Sequence, residues 1–234
     1  MKLFAKVLLL LAGFAAIASH AQTLLFDNFT RDSSLNTGLW TTSSSFLTAL
    51  AAASSSPRAS FVTPQLTFNS QFGMTLTGPT EDYQTTGVQS LSTFTPPFRV
   101  VTYVIAAGGT ADPFEILLAN ADLTQFLTVT ANVNPTYLGF WAAAPNVSQL
   151  WQLGKQFSPA ISPNFYAPYI VTIGVNAEGV ATATVENFVG TVLGRVSKLE
   201  AGAGPFYLVL GQRIGLAATG PQFSDWFSVK VTAP

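Results

Sequence analysis

The chain has 234 residues, with ten Lys or Arg, eleven Asp or Glu, one His and no Cys. A net charge of −1 with no basic cluster excludes binding to nucleic acid or an anionic membrane surface by charge. The missing cysteines exclude disulfide scaffolds and thiol chemistry, and 48% hydrophobic against 9% charged residues leaves a surface built largely of Ser, Thr, Asn and Gln.

The first segment reads as an export signal. Lys2 and Lys6 flank the start of an apolar run, Val7 to Ala18, and Ser19, His20 and Ala21 form a small-x-small cleavage site. The run is too short for a membrane span, which needs roughly 20 residues. The expected organisation is a signal peptide over 1–21 and one domain over 22–234. The expected location is secreted, periplasmic or cell-surface. Cleavage would remove His20, the only histidine, and leave eight basic against eleven acidic residues, a net charge of −3. Ser–His–Asp and Cys–His catalysis then lack their residues, as does a histidine base. Zinc lacks its usual ligands.

Beyond the signal, period-two alternation dominates. Leu66 and Phe68 alternate with polar neighbours, as do Phe72, Met74 and Leu76, and then Phe227, Val229 and Val231. Phe98–Val104, Tyr169–Val175 and Phe206–Leu210 read as strands buried on both faces. Thr48–Ser56 is Ala-rich, but its serines and Pro57 predict a loop. Asn176-Ala177-Glu178-Gly179 predicts a hairpin turn with Gly179 at positive φ. Other breaks recur at Gly78-Pro79, Pro96-Pro97, Gly108-Gly109, Asn134-Pro135 and Gly220-Pro221. A dozen or more strands exceed one flat sheet, so the expected fold is an all-β, two-sheet antiparallel β-sandwich.

Three pieces carry a family resemblance. Leu24-Leu25-Phe26-Asp27-Asn28-Phe29, with Leu35-Asn36-Thr37 and Trp40, is similar to the opening of concanavalin A-like lectin/glucanase domains. Gly87-Val88-Gln89-Ser90, Phe94 and Phe98-Arg99-Val100 resemble an inner strand pair of that superfamily. Tyr207–Gly211 followed by Trp226–Val231 resembles its close. The resemblance implies a jelly roll of two curved sheets, a last strand beside the first, and any carbohydrate site on the concave face. It also gives Trp40 and Trp226 structural places. Export without disulfides fits a bacterial source, where the sequons at Asn28 and Asn146 carry no meaning.

The glucanases of this superfamily carry a glu-x-asp-x-x-glu motif on one strand, and retaining hydrolysis needs two carboxyls about 5–5.5 Å apart. This chain has no such spacing. Asp112 and Glu115 are three apart and face opposite sides of a strand, and Ile116, Leu117, Leu118 and Ala119 follow. No catalytic residue is assigned. Candidate ligand contacts are Trp141 and Trp151, whose rings offer sugars a flat face, with Tyr83, Gln89, Glu81, Asp82 and Glu115. No cofactor is expected; a structural calcium is the alternative, unsupported by spacing, and would need Asp27, Asp32, Asp122 and Asp225, which stand apart in sequence, to converge in space. The expected partner is a polysaccharide or glycan, with no nucleic acid and no membrane span. The leading reading is a non-catalytic carbohydrate-binding or adhesion module. A structural envelope sandwich ranks second, and a glycoside hydrolase with a displaced acid pair third.

Overall fold

In the computed structural model, which describes residues 21–53, 60–78, 84–107, 112–133, 136–143, 155–156, 167–213 and 223–234, alternating segments pair into two sheets. The chain opens with β1 (Thr23–Asp27) and a 3-10 turn (Phe29–Arg31). Next come β2 (Trp40–Thr41), helix α1 (Ser45–Ala53), β3 (Ser60–Phe61), β4 (Gln65–Asn69) and β5 (Gly73–Thr77). Long strands follow: β6 (Gln84–Phe94), β7 (Phe98–Ala107), β8 (Asp112–Asn120), β9 (Phe126–Val133) and β10 (Thr136–Ala143). The rest are β11 (Lys155–Gln156), β12 (Pro168–Val175), β13 (Val180–Asn187), β14 (Val192–Glu200), β15 (Phe206–Arg213) and β16 (Phe223–Thr232).

Sheet A runs β14-β13-β12-β7-β16-β5-β4, with β1 also on β16. Sheet B runs β11-β10-β9-β8-β15-β6-β2, with β3 also on β6. Every pairing is antiparallel except β3 with β6. The last strand lies beside the first, with Phe26 opposite Lys230 and Asp27 opposite Val229.

The core fills the space between the sheets. Phe98 and Val100 of β7 and Tyr169, Val171, Ile173 and Val175 of β12 come from sheet A. Phe114, Ile116 and Leu118 of β8 and Phe206, Leu208 and Leu210 of β15 come from sheet B. Rings meet edge-on across the gap, Phe114 against Trp226 at 6.3 Å and Phe98 against Phe206 at 6.1 Å. Burying each such side chain contributes about 1.5–3 kcal/mol. A polar tie fixes the sheets' alignment: the Gln212 amide on β15 donates to the Leu76 carbonyl (3.1 Å) and the Ser224 hydroxyl (2.9 Å) of sheet A.

Several expectations hold. The 176–179 segment joins β12 to β13, with Gly179 at φ +76°. Trp40 and Trp226 are fully buried. Others need correction. Thr48–Ser56 was expected to be loop, yet Ser45–Ala53 is helical. The β12 strand is not buried on both faces: its exposure alternates, and the same holds for β7, where Arg99 is open. Phe227 does not join Val229 and Val231 inside. A register shift between Trp226 and Ser228 breaks the alternation, so Trp226 takes the inner place. Phe72 precedes β5 and stays exposed.

Candidate functional site

The outer face of sheet B carries two of the candidate residues, Glu115 and Gln89. Period two along β8 sends Phe114, Ile116 and Leu118 into the core and turns Glu115, Leu117 and Ala119 outward. Register sets the neighbours. Leu117 lies between Val209 of β15 and Thr128 of β9, and Val209 in turn pairs with Gln89 of β6. Glu115 lies opposite Gly211, which pairs with Gly87. Here the strands pack so closely that a Cβ on Gly211 would sit 2.3 Å from the Thr86 carbonyl oxygen.

Helix α1 covers much of this face. Leu47 and Leu50 pack on Leu117, Ala119, Phe126 and Val209, with Phe46, Phe61 and Leu123 at the margin. Phe46 meets the Tyr207 ring at 4.8 Å. Apolar positions 46, 47, 50 and 51 recur at helical spacing, which is why the segment coils rather than loops. Ser44 caps it: its hydroxyl accepts the Leu47 amide at 3.0 Å and donates to Gln89 Oε1 at 2.5 Å. Gln89 is therefore no open ligand contact. It is 4% exposed and holds the helix N-terminus to β6.

Beyond the helix the face is polar and half-buried. The Thr128 hydroxyl donates to Glu115 Oε1 at 3.1 Å. Trp141 lies on β10, where its backbone pairs with Thr128 and so continues the line from Gln89 through Val209 and Leu117. Glu81, Asp82, Tyr83 and Trp151 lie outside the described residues. Sequence reading missed Thr128 and the helix residues. The signals available for the helix were its apolar spacing and the serine ahead of it.

Of the four scattered aspartates, two meet. Asp27 is buried, accepts the Trp40 indole N–H at 2.7 Å and bonds the Asp32 carboxyl. Desolvation, then the bond to Asp32, pushes the Asp27 carboxyl up to about 6. Asp225 sits on sheet A, accepting the Thr75 hydroxyl at 2.6 Å; burial pushes its pKa up. Asp122 lies in the β8–β9 turn, where the Thr124 hydroxyl and amide hold its carboxyl low. Among the described residues no three His, Cys, Asp or Glu come together where a metal could sit.

No family model matches the chain, and no curated protein does. Solved structures do. The Crh5 transglycosylase superposes with a TM-score of 0.60 at 13% identity, covering 89% of this chain and 83% of its own. A Bacillus licheniformis β-glucanase gives 0.56 at 11% identity, over 92% and 100%. The exoplasmic/lumenal domain of VIP36 gives 0.51 at 8% identity, over 72% and 81%. Such identities speak to fold alone. With its two antiparallel sheets and its last strand beside its first, the chain has the concanavalin A-like jelly-roll fold.

Proposed function

We propose that this chain is an exported, non-catalytic glycan-binding module, whose contact strip is the part of sheet B's outer face that α1 leaves open. One observation carries the reading. Leu117 and Ala119 sit two and four residues after Glu115 on the same face, and α1 covers them. Glu115 accepts the Thr128 hydroxyl, and Thr128 pairs along the register with Trp141 of β10. A carboxylate beside a hydroxyl can hydrogen-bond sugar hydroxyls. Hydrolysis by the usual route needs a second carboxyl within about 10 Å across the scissile bond, and these apolar neighbours supply none. The neighbours lend the ligand class: one is a lumenal domain bound to Man3GlcNAc, another a transglycosylase in complex with NAG.

The test is titration calorimetry and affinity electrophoresis with mannose oligosaccharides, N-acetylglucosamine oligomers and soluble β-glucan. Binding of one class is expected, weakened about tenfold in Glu115→Gln and in Trp141→Ala, with no reducing ends released. Release of reducing ends that Glu115→Gln abolishes would make the protein a hydrolase. Retention of none of the probes would favour the second reading, a structural sandwich. The sealing of the face by α1 speaks for that reading.

A further inference from the structure

The opposite side of the molecule carries an aromatic surface that the sheet-B strip does not use. Phe188 and Val189, at the β13–β14 turn, are 62% and 67% exposed, the most open large apolar side chains among the described residues. The turn that presents them is firmly built. Asn187 Oδ1 accepts the amides of Val189 (3.2 Å) and Thr191 (2.8 Å), and the Asn187 amide donates to the Thr191 carbonyl at 3.0 Å. The Tyr103 hydroxyl of β7 reaches the Phe188 carbonyl at 3.4 Å, and its ring meets Phe227 edge-on at 5.6 Å. By register Tyr103 lies beside Ile170 of β12, which lies beside Glu186 of β13. The adjoining row holds Thr172 and Thr184. All four of these last are on the outer face, half-buried rather than sealed.

We propose that Phe188, Tyr103, Ile170 and Glu186 form a second glycan-binding surface on the outer face of sheet A, taking two or three pyranose rings of an uncharged polysaccharide. The ring faces offer stacking, and the carboxylate and threonine hydroxyls accept and donate to sugar hydroxyls. The preset turn removes much of the ordering cost of binding. The open apolar area speaks against a second copy of the chain: Phe188, Val189 and Val192 leave roughly 300 Å² open, below the apolar share, slightly over half, of the about 800 Å² each partner buries in a stable interface. Charge speaks against a membrane: among the described side chains of this face Arg99, Arg195 and Lys230 stand on three different strands, β7, β14 and β16, beside Glu186 rather than in a basic cluster.

This inference rests on the glycan-binding reading, so its test must separate the two. The purified protein and four variants are run in affinity electrophoresis against soluble β-glucan and by titration against N-acetylglucosamine and mannose oligomers. The variants are Phe188→Ser, Tyr103→Ala, Glu115→Gln and, as an apolar control on β6, Leu91→Ser. Phe188→Ser and Tyr103→Ala are expected to weaken retention about tenfold while Leu91→Ser retains it. Phe188 is too exposed for its loss to disturb folding. Retention that falls in Glu115→Gln but not in Phe188→Ser overturns the second surface and leaves the first. Retention of no probe overturns both. A dimer in sedimentation velocity that Phe188→Ser dissociates would also overturn it, in favour of self-association.

Discussion

Replacing Asp27 by asparagine probes the most perturbed carboxyl described. Asp27 is 5% exposed, and its pKa rises from an ordinary 3.8 to about 6, first because burial disfavours the charge and then because Asp32 bonds it. The folded state therefore holds a proton that the unfolded chain releases near pH 4. Stability from this group is fully present below about pH 4 and falls as the pH climbs through about 6. At 1.36 kcal/mol per pK unit the loss is about 3 kcal/mol above pH 7. Asparagine keeps an oxygen for the Trp40 indole N–H and adds a permanent donor toward Asp32. Asp27→Asn is then expected to match wild type at pH 4 and exceed it by up to about 3 kcal/mol at pH 7.5, or several degrees in Tm. Urea unfolding followed by tryptophan fluorescence at pH 4, 5.5 and 7.5 measures both arms. Wild-type stability that rises between pH 4 and 7.5, or an asparagine variant weaker than wild type at pH 7.5, would refute the assignment of a buried proton to Asp27.

Three further outcomes follow from packing. Leu47→Ala, at a fully buried helix position, should cost about 2–5 kcal/mol if α1 unfolds with the sandwich. A smaller loss accompanied by dye binding would mean that the helix detaches alone. Gly211→Ala places a Cβ against the Thr86 carbonyl and should lower Tm by several degrees, read by differential scanning calorimetry. Gln89→Ala removes the acceptor for Ser44 and should cost about 1–2 kcal/mol in chemical denaturation while leaving glycan titrations unchanged, since Gln89 is buried.

Much of the fold was readable because its signals are local. Residues 65–69 and 74–77 alternate and pair as β4 and β5, and the 176–179 turn sits between two apolar runs; these formed as the pattern predicts. What failed depended on distant partners. An apolar run such as Phe98–Val104 does not reveal whether its second face is covered. In β15 Val209 lies under α1, whereas in β7 Tyr103 and Val101 face outward with partial exposure. The bulge that turns Trp226 inward lies on a strand whose neighbour β7 is more than a hundred residues earlier. The same holds at the site. Glu115 was visible in sequence, but Thr128 becomes its partner only through the β8–β9 register. Gln89 looks like a sugar contact in sequence because nothing local shows that Ser44, 45 residues away, binds it.

The helix and the missing acids of β8 are physically one fact. Leu47 and Leu50 rest on Leu117 and Ala119 in a cluster without a charged member. A carboxylate at 117 or 119 would have to ionise beneath those leucines, and burying an unpaired charge costs far more than the contacts return. A sequence that keeps α1 seated on sheet B must therefore keep apolar residues at those two positions. A sequence that placed acids there would need the helix elsewhere. In the strip that remains, Glu115 keeps partial exposure beside the Thr128 hydroxyl, while positions 117 and 119 of its own strand, the ones that share its face, lie under the helix.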